Sequence, residues 1–431
     1  MHSCASFDTI KSMRLNREEL LCMKGSIRFL HCADLHIDSP FKGYYYLPGP
    51  LFRDVRESTF KAFDRLINHA IEQQVDFVLM AGDIFDQDGR SLKAQLHFKK
   101  GLERLAECRI HTYVSHGNHD YMNATFYPMT YPEYVHVFET EEVKSFPFYK
   151  NGEKLADIHG FSYEQRAVHH SKHQDFTPSS EGIYNIGMLH GSLSTNTEHD
   201  VYAPFSIEQL LQRGMDYWAL GHIHKKQVLH KDPYIVYPGN IQGRHRNEQG
   251  EKGCYIVDLS ENTTSLTFCP TENIQFNVET FQVEEQTNLH DLETTVQSLK
   301  DDKRMECGKA FIEVTFQGSL PFPKGQEQSM IDELKDIWNE QEEEAADWIW
   351  ISRVHTSITP NWDREQLSNG AHFIGELIRQ FDNHQDIEDH LHELLYHKHM
   401  RKYLQPFSEE EKQDLLNRAE QLLLQKLLKG E

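Results

Sequence analysis

Short apolar runs alternate along the chain with longer stretches of helical period. Residues 27–34, Ile27-Arg28-Phe29-Leu30-His31-Cys32-Ala33-Asp34, predict a buried strand that ends in a carboxylate. Over 51–74, Phe52, Val55, Phe60, Phe63, Leu66, Ile67, Ala70 and Ile71 recur near the helical spacing and predict a helix. Residues 75–81 predict a second strand, running into Gly82-Asp83. A helix over 92–106 and a third strand over 110–115 lead to Gly117-Asn118-His119-Asp120. Strand and helix alternating, with reactive side chains at the strand ends, is the pattern of an α/β sheet whose sites lie beyond the carboxyl ends of its strands.

Further strands are predicted at Tyr184–His190, Tyr217–Gly221, Tyr234–Tyr237, 255–259 and 265–269. From about Thr287 the character changes. A helix (289–299), a strand (310–316), a helix (328–338) and a strand (348–354) predict a small α+β unit. Beyond Pro360 the chain is polar and helical, and Ser408 with Glu411 has the spacing of a capping box before a leucine stripe from Leu415 to Leu427. The expected organisation is a unit over 23–280, a small α+β capping domain over 285–358 and a helical region over 360–431. Residues 1–22 hold no domain element and are expected to be a disordered extension or the product of an upstream start codon.

Composition narrows the class. The 431 residues suit two or three domains at about 150 each. Hydrophobic residues at 38% and charged residues at 26% describe a globular chain. No apolar run approaches the length that spans a bilayer, and the first residues lack the apolar core of a secretory signal. Seven scattered cysteines without CxxC spacing make a disulfide framework or a thiolate zinc site unexpected, and a reducing cytoplasm fits them. The net charge of −23 opposes nonspecific adhesion to nucleic acid or anionic lipid, except where bound cations reverse the local field.

Five short motifs stand at predicted strand ends: Asp34-Leu35-His36, Gly82-Asp83, Gly117-Asn118-His119-Asp120, Leu189-His190-Gly191 and Gly221-His222-Ile223-His224. Singly they are weak. Together, carboxylate, carboxamide and imidazole donors without thiolates suit manganese, iron or zinc in a catalytic site. The number of donors implies two ions, with Asp83 placed to bridge them, and two metals about 3.5–4 Å apart clamp a phosphoryl centre during in-line displacement. Phosphoester hydrolysis is the expected chemistry.

At these residues the chain resembles the calcineurin-like metallophosphoesterases, and among them the SbcD-type DNA repair exonucleases and their YhaO branch. Cys32 to Pro40 (CADLHIDSP), Ala81 to Asp86 (AGDIFD) and the segment from Tyr237 to Val257 carry the likeness; where protein phosphatases usually have Arg after the second Asp, Gln87 stands here. The resemblance implies a β-sandwich flanked by helices, two divalent metal ions (Mn2+, with Fe or Zn as alternatives), and 3′→5′ exonuclease action on DNA. By motif, Asp34, His36 and His224 would hold the first ion, Asp83 would bridge, and Asn118, His190 and His222 would hold the second. His119 would act on the substrate as a catalytic group, with Asp120 orienting it. The resemblance also implies an SMC-like ABC ATPase partner bound through the C-terminal helices, and allows a homodimer.

Other features are less specific. Arg244, His245 and Arg246, within a basic stretch that includes Lys225, Lys226 and Lys252, are candidate DNA-phosphate contacts or an ordinary charged loop. Tyr44, Tyr45 and Tyr46 can stack on a base or simply pack. His169, His170 and His173 fit a solvated loop, and His384, His390, His392, His397 and His399 fit surface or helix-packing roles. Two rival functions remain open at this level: a phosphodiesterase for small nucleotides, and a catalytically weak scaffold for the ATPase.

Overall fold

The computed structural model describes residues 24–383 and 409–428, apart from 87–90, 125–126, 180–181, 196–200, 285–286, 319, 321, 323–325, 358–363 and 371. The segment 1–22, Ser408 of the expected capping box and the five histidines from His384 to His399 lie outside the described residues.

Two six-stranded sheets form the main body. In chain order the strands are β1 (Ile27–Cys32), β2 (Phe77–Ala81), β3 (His111–Ser115), β4 (Val135–Val137), β5 (Lys144–Lys150), β6 (Glu153–Gly160), β7 (Tyr184–His190), β8 (Tyr217–Gly221), β9 (Gln227–Lys231), β10 (Tyr234–Tyr237), β11 (Gly253–Leu259) and β12 (Thr264–Pro270). One sheet has the order β12-β11-β1-β2-β3-β4 and the other β5-β6-β7-β8-β10-β9. The strands β1 to β4 run parallel, as do β6, β7, β8 and β10.

Side-chain alternation explains why β2 and β8 are apolar throughout. In β2, Phe77, Leu79 and Ala81 enter the core shared by the two sheets, while Val78 and Met80 face the helices α1 (Gly49–Glu72) and α2 (Leu92–Glu107). In β8, Tyr217 and Ala219 enter the shared core, while Trp218 and Leu220 pack on the outer face with Tyr163, Phe176 and Leu210. The result is a β-sandwich flanked by helices, and its parallel strands bring their carboxyl ends to one rim.

A third, all-parallel sheet follows: β13 (Gln275–Gln282), β14 (Ala310–Gln317) and β15 (Ile349–Ser357), connected through α4 (Leu289–Cys307) and α5 (Glu327–Glu340), with the five-residue helix α3 (Ile207–Leu211) lying earlier in the chain. It begins at Gln275, ahead of the change in character near Thr287. The half-exposed alternation of β13 produces no apolar run. Its core joins Val296, Ile312, Val314 and Ile351, and its other face meets the main body where Phe311 and Trp348 pack on Phe41, Leu51 and Val55. Asp54 of α1 seals this junction by accepting from Lys309, Lys61 and the Trp348 indole. Helices α6 (Arg364–Ser368), α7 (Phe373–Asn383) and α8 (Glu409–Leu428) complete the described chain; Arg364 joins them, bonding Glu420 at 2.6 Å and Asp382 at 2.8 Å. Among the described residues no helix is long and apolar enough to cross a membrane.

Candidate metal centre

The strand ends are fastened to one another by main-chain bonds. Asp34 N–H donates to Gly82 O (3.1 Å), His36 N–H to Asp83 O (3.0 Å) and Gly191 N–H to Gly221 O (3.1 Å). Asp83 Oδ1 accepts the His119 N–H at 2.9 Å, and the Asp34 carboxylate accepts the His222 N–H at 3.0 and 3.1 Å. To turn this sharply Asp34 (φ 52°), His36 (43°), Asp83 (51°) and His222 (99°) all adopt left-handed backbone, a cost that non-glycine residues bear at functional positions. Gly221 is required by contact: a Cβ there would overlap the Ala81 carbonyl oxygen.

The side chains so placed point inward and are almost all hydrogen-bond acceptors. His190 Nδ1 lies 3.0 Å from Ala81 O and His224 Nδ1 lies 2.6 Å from Glu248 Oε1. Each contact needs the proton on Nδ1, which turns the Nε2 lone pair into the cluster. There His190 Nε2 meets Asn118 Oδ1 at 3.0 Å and Asp83 Oδ2 at 3.5 Å. His224 Nε2 meets His36 Nε2 at 3.2 Å and Asp34 Oδ1 at 4.0 Å, and His36 Nε2 lies 3.8 Å from Asp83 Oδ2. Asp34, His36, Asp83 and His190 are each 1% exposed or less. Acceptors packed against acceptors in a dry site repel unless something positive sits among them.

Protonation follows the same logic. Burial raises the Asp34 carboxyl to about 7, with Asp83 adding to the effect and His190 opposing it. Burial would lower His190, but Asp83 and Asp34 outweigh it and lift the imidazole to about 9. The cluster draws in protons, as a cation site does when only protons are offered. Two sets of donor atoms, Asp34–His36–His224 and Asp34–Asp83–His190, each lie within 4.8 Å of one another, a donor set that suits borderline divalent ions. A third set, His36–Asp86–His119, already holds a cation of its own, because Arg244 Nη1 lies 2.8 Å from Asp86 Oδ2.

Asn118 thus joins this cluster through His190. His222 reaches it through its main chain and by its ring, edge-on to His190 at 5.3 Å. His119 stands at the rim with its ring edge-on to His36 at 5.1 Å. One expectation needs correction. The Asp120 carboxylate is engaged by the Ile84 N–H (2.8 Å), the Gly117 N–H (2.7 Å) and His116 Nδ1 (2.9 Å), so it shapes the loop. The carboxylate facing His119 Nδ1 is Asp86, at 3.4 Å, and it also accepts from Ser39 Oγ at 3.0 Å. Burial works against a charged His119, but Asp86 and then Asp83 overcome it and raise its pKa.

Of the basic trio, Arg244 turns inward onto Asp86. His245 is exposed beside Glu248 at 3.3 Å, and Arg246 reaches Glu313 of β14 at 3.7 Å. Glu248 escaped sequence reasoning. It is buried, and it gathers His224 Nδ1, the Asn240 amide (2.9 Å) and the Arg244 N–H (2.6 Å). Burial would raise it, yet His224 and His245 hold it well below the usual carboxylate range. Its only signal in the sequence is its place in the loop between Tyr237 and Gly253.

The sequence pattern of the calcineurin-like phosphoesterases matches residues 27–226. The uncharacterized metallophosphoesterase YhaO of Bacillus subtilis is 38% identical over 413 residues, covering 94% of this chain and 99% of that protein. The DNA double-strand break repair protein Mre11 of Sulfolobus acidocaldarius is 23% identical, covering 72% of this chain and 80% of its own length. The protein of the same name from Methanocaldococcus jannaschii is 27% identical over 56% of this chain and 64% of its own length. With near-complete coverage at that level of identity, the chain belongs to the calcineurin-like phosphoesterases, a superfamily of hydrolases that uses a binuclear metal centre.

Proposed function

We propose that the protein is a Mn2+-dependent phosphodiesterase that cleaves DNA, acting as a 3′→5′ exonuclease in DNA repair. The observation that carries the hydrolytic part is the convergence of lone pairs: Asp34, His36, Asp83, Asn118, His190 and His224 present acceptors to one another, with the Nδ1 atoms of His190 and His224 turned to outer partners. Asp34, His36 and His224 would hold one ion, Asn118, His190 and His222 the other, with Asp83 between them. Bound there, the ions supply charge neutralisation for the phosphodiester and activate the attacking water.

The remaining steps belong to the chain. Asp86 faces His119 Nδ1 and raises its pKa, which favours the protonated ring whose Nε2 could donate to the leaving oxygen. Arg244, pinned on Asp86 beside His119, adds positive charge at the same rim. The DNA substrate is supported by the names of the Mre11 relatives, and the exonuclease polarity by the SbcD-type motifs. An SMC-like ABC ATPase is proposed as partner, docking on the C-terminal helices, on whose surface Phe373 and Leu422 are exposed.

A DNA cleavage assay with and without Mn2+ tests the reading. Native protein should degrade DNA only with the metal, and Asp83→Ala should abolish both metal binding and cleavage. Turnover of cyclic nucleotides without cleavage of DNA would contradict the substrate.

A further inference from the structure

The third sheet turns one carboxylate toward the main body. On β14, Ile312, Val314 and Phe316 face the helices, so Phe311 and Glu313 take the opposite face. Two guanidinium groups and an imidazole close on Glu313, each at 3.7 Å: Arg246 Nη1, Arg353 Nε and His355 Nε2. Arg353 is the register partner of Glu313 on β15, while Arg246 comes from the loop that pins Arg244 beside His119. Both guanidinium groups meet solvent, with side chains 33% and 51% exposed.

Tyr46 lies beside them. Loss of water around its hydroxyl, and then the Glu313 charge, raise its pKa. Tyr46 is 61% exposed. Its ring sits 6.4 Å from the Tyr44 ring, which packs on Phe311 at 5.0 Å and Phe276 at 6.0 Å. A largely exposed aromatic residue with a packed neighbour, on the same side of the sheet as two solvent-facing guanidinium groups, can take a base and its phosphates. A paired base inside a duplex exposes no face to it. Two residues span at most about 7 Å, so the Cα atoms of Arg246 and Arg244 lie within that distance of each other.

Resting on the nuclease reading above, we propose that Tyr46, Arg246 and Arg353 form a stacking and phosphate-contacting platform that guides an unpaired DNA strand into the metal centre.

The test uses the full chain with Mn2+, a labelled thymidine oligomer, the same oligomer in a duplex, and the chromogenic diester bis(p-nitrophenyl) phosphate. Tyr46→Ala should raise KM for the single strand about tenfold or more, leaving its kcat and the turnover of the small diester unchanged. Tyr46→Trp should restore the lost affinity. Arg353→Gln should lower the salt dependence of single-strand binding by about one counterion. Unchanged KM in Tyr46→Ala, equal losses on single strand and duplex, or no recovery in Tyr46→Trp would each overturn the platform. Native protein that turns over the diester but ignores the oligomer overturns the platform alone, whereas turnover of neither strikes the phosphodiesterase reading beneath it.

Discussion

A histidine ligates a cation only when its proton sits on the other nitrogen, and for His224 Glu248 supplies that condition from a position 24 residues downstream. Glu248→Gln should weaken Mn2+ binding about 10–100-fold, read by metal titration, because the outer contact would lose its charge. His119 poses the reverse case. His119→Gln should keep metal content intact while cutting DNA cleavage about 10²–10⁴-fold. Asp86→Asn should cause a smaller loss in the same direction, again with metal retained. Normal turnover in His119→Gln would refute its role.

Proton linkage at the same cluster has a definite sign. Asp34 rises from 3.8 to about 7 and His190 from 6.5 to about 9, so the metal-free folded chain holds protons that the unfolded chain releases. The stability they provide is present at low pH and is lost as pH climbs through those values. Metal binding must displace the same protons. Mn2+ affinity should therefore increase from about pH 6 to about pH 9, and the metal-induced rise in Tm should increase with it. Scanning calorimetry with and without Mn2+ measures this.

At the level of elements, what the sequence made legible follows unbroken apolar or alternating runs. Strands β1, β2, β3, β7 and β8 are nearly or wholly buried, so their apolar runs and the motifs at their ends stood out. Edge strands β4, β5 and β9 are half exposed and left no comparable run, while the buried β6 went unread because Asp157 and His159 interrupt its apolar positions. Asp86 and Asp120 show a second limit. Both are acids next to site motifs, and only the folded loops decide that Asp120 ties down Gly117 and His116 while Asp86 meets His119. Backbone crowding also belongs to this scale. Gly221→Ala should destabilise the fold by about 1–3 kcal/mol and reduce bound metal, because the added methyl meets the Ala81 carbonyl where β8 passes β2. Thermal denaturation with metal analysis would register both effects.

On the scale of the whole molecule, three parts are joined by different means. The third sheet is fixed to the main body through an apolar junction and the Asp54 network, and so forms a standing wall near the metal centre. The C-terminal helices are tied to one another through Arg364, Glu420 and Asp382. Deleting the chain from Pro360 onward should leave Mn2+-dependent diester hydrolysis intact and abolish binding to the proposed ATPase in a pull-down. Equal loss of both would place the tail in the catalytic fold instead.

The most direct measurement is the number of Mn2+ ions bound per chain, by equilibrium dialysis and elemental analysis of native protein and Asp83→Ala. Two ions per native chain are expected, with the stoichiometry collapsing in the variant because both cations lose their shared carboxylate. One ion or none in the native chain, or two retained in Asp83→Ala, would contradict the two-metal centre.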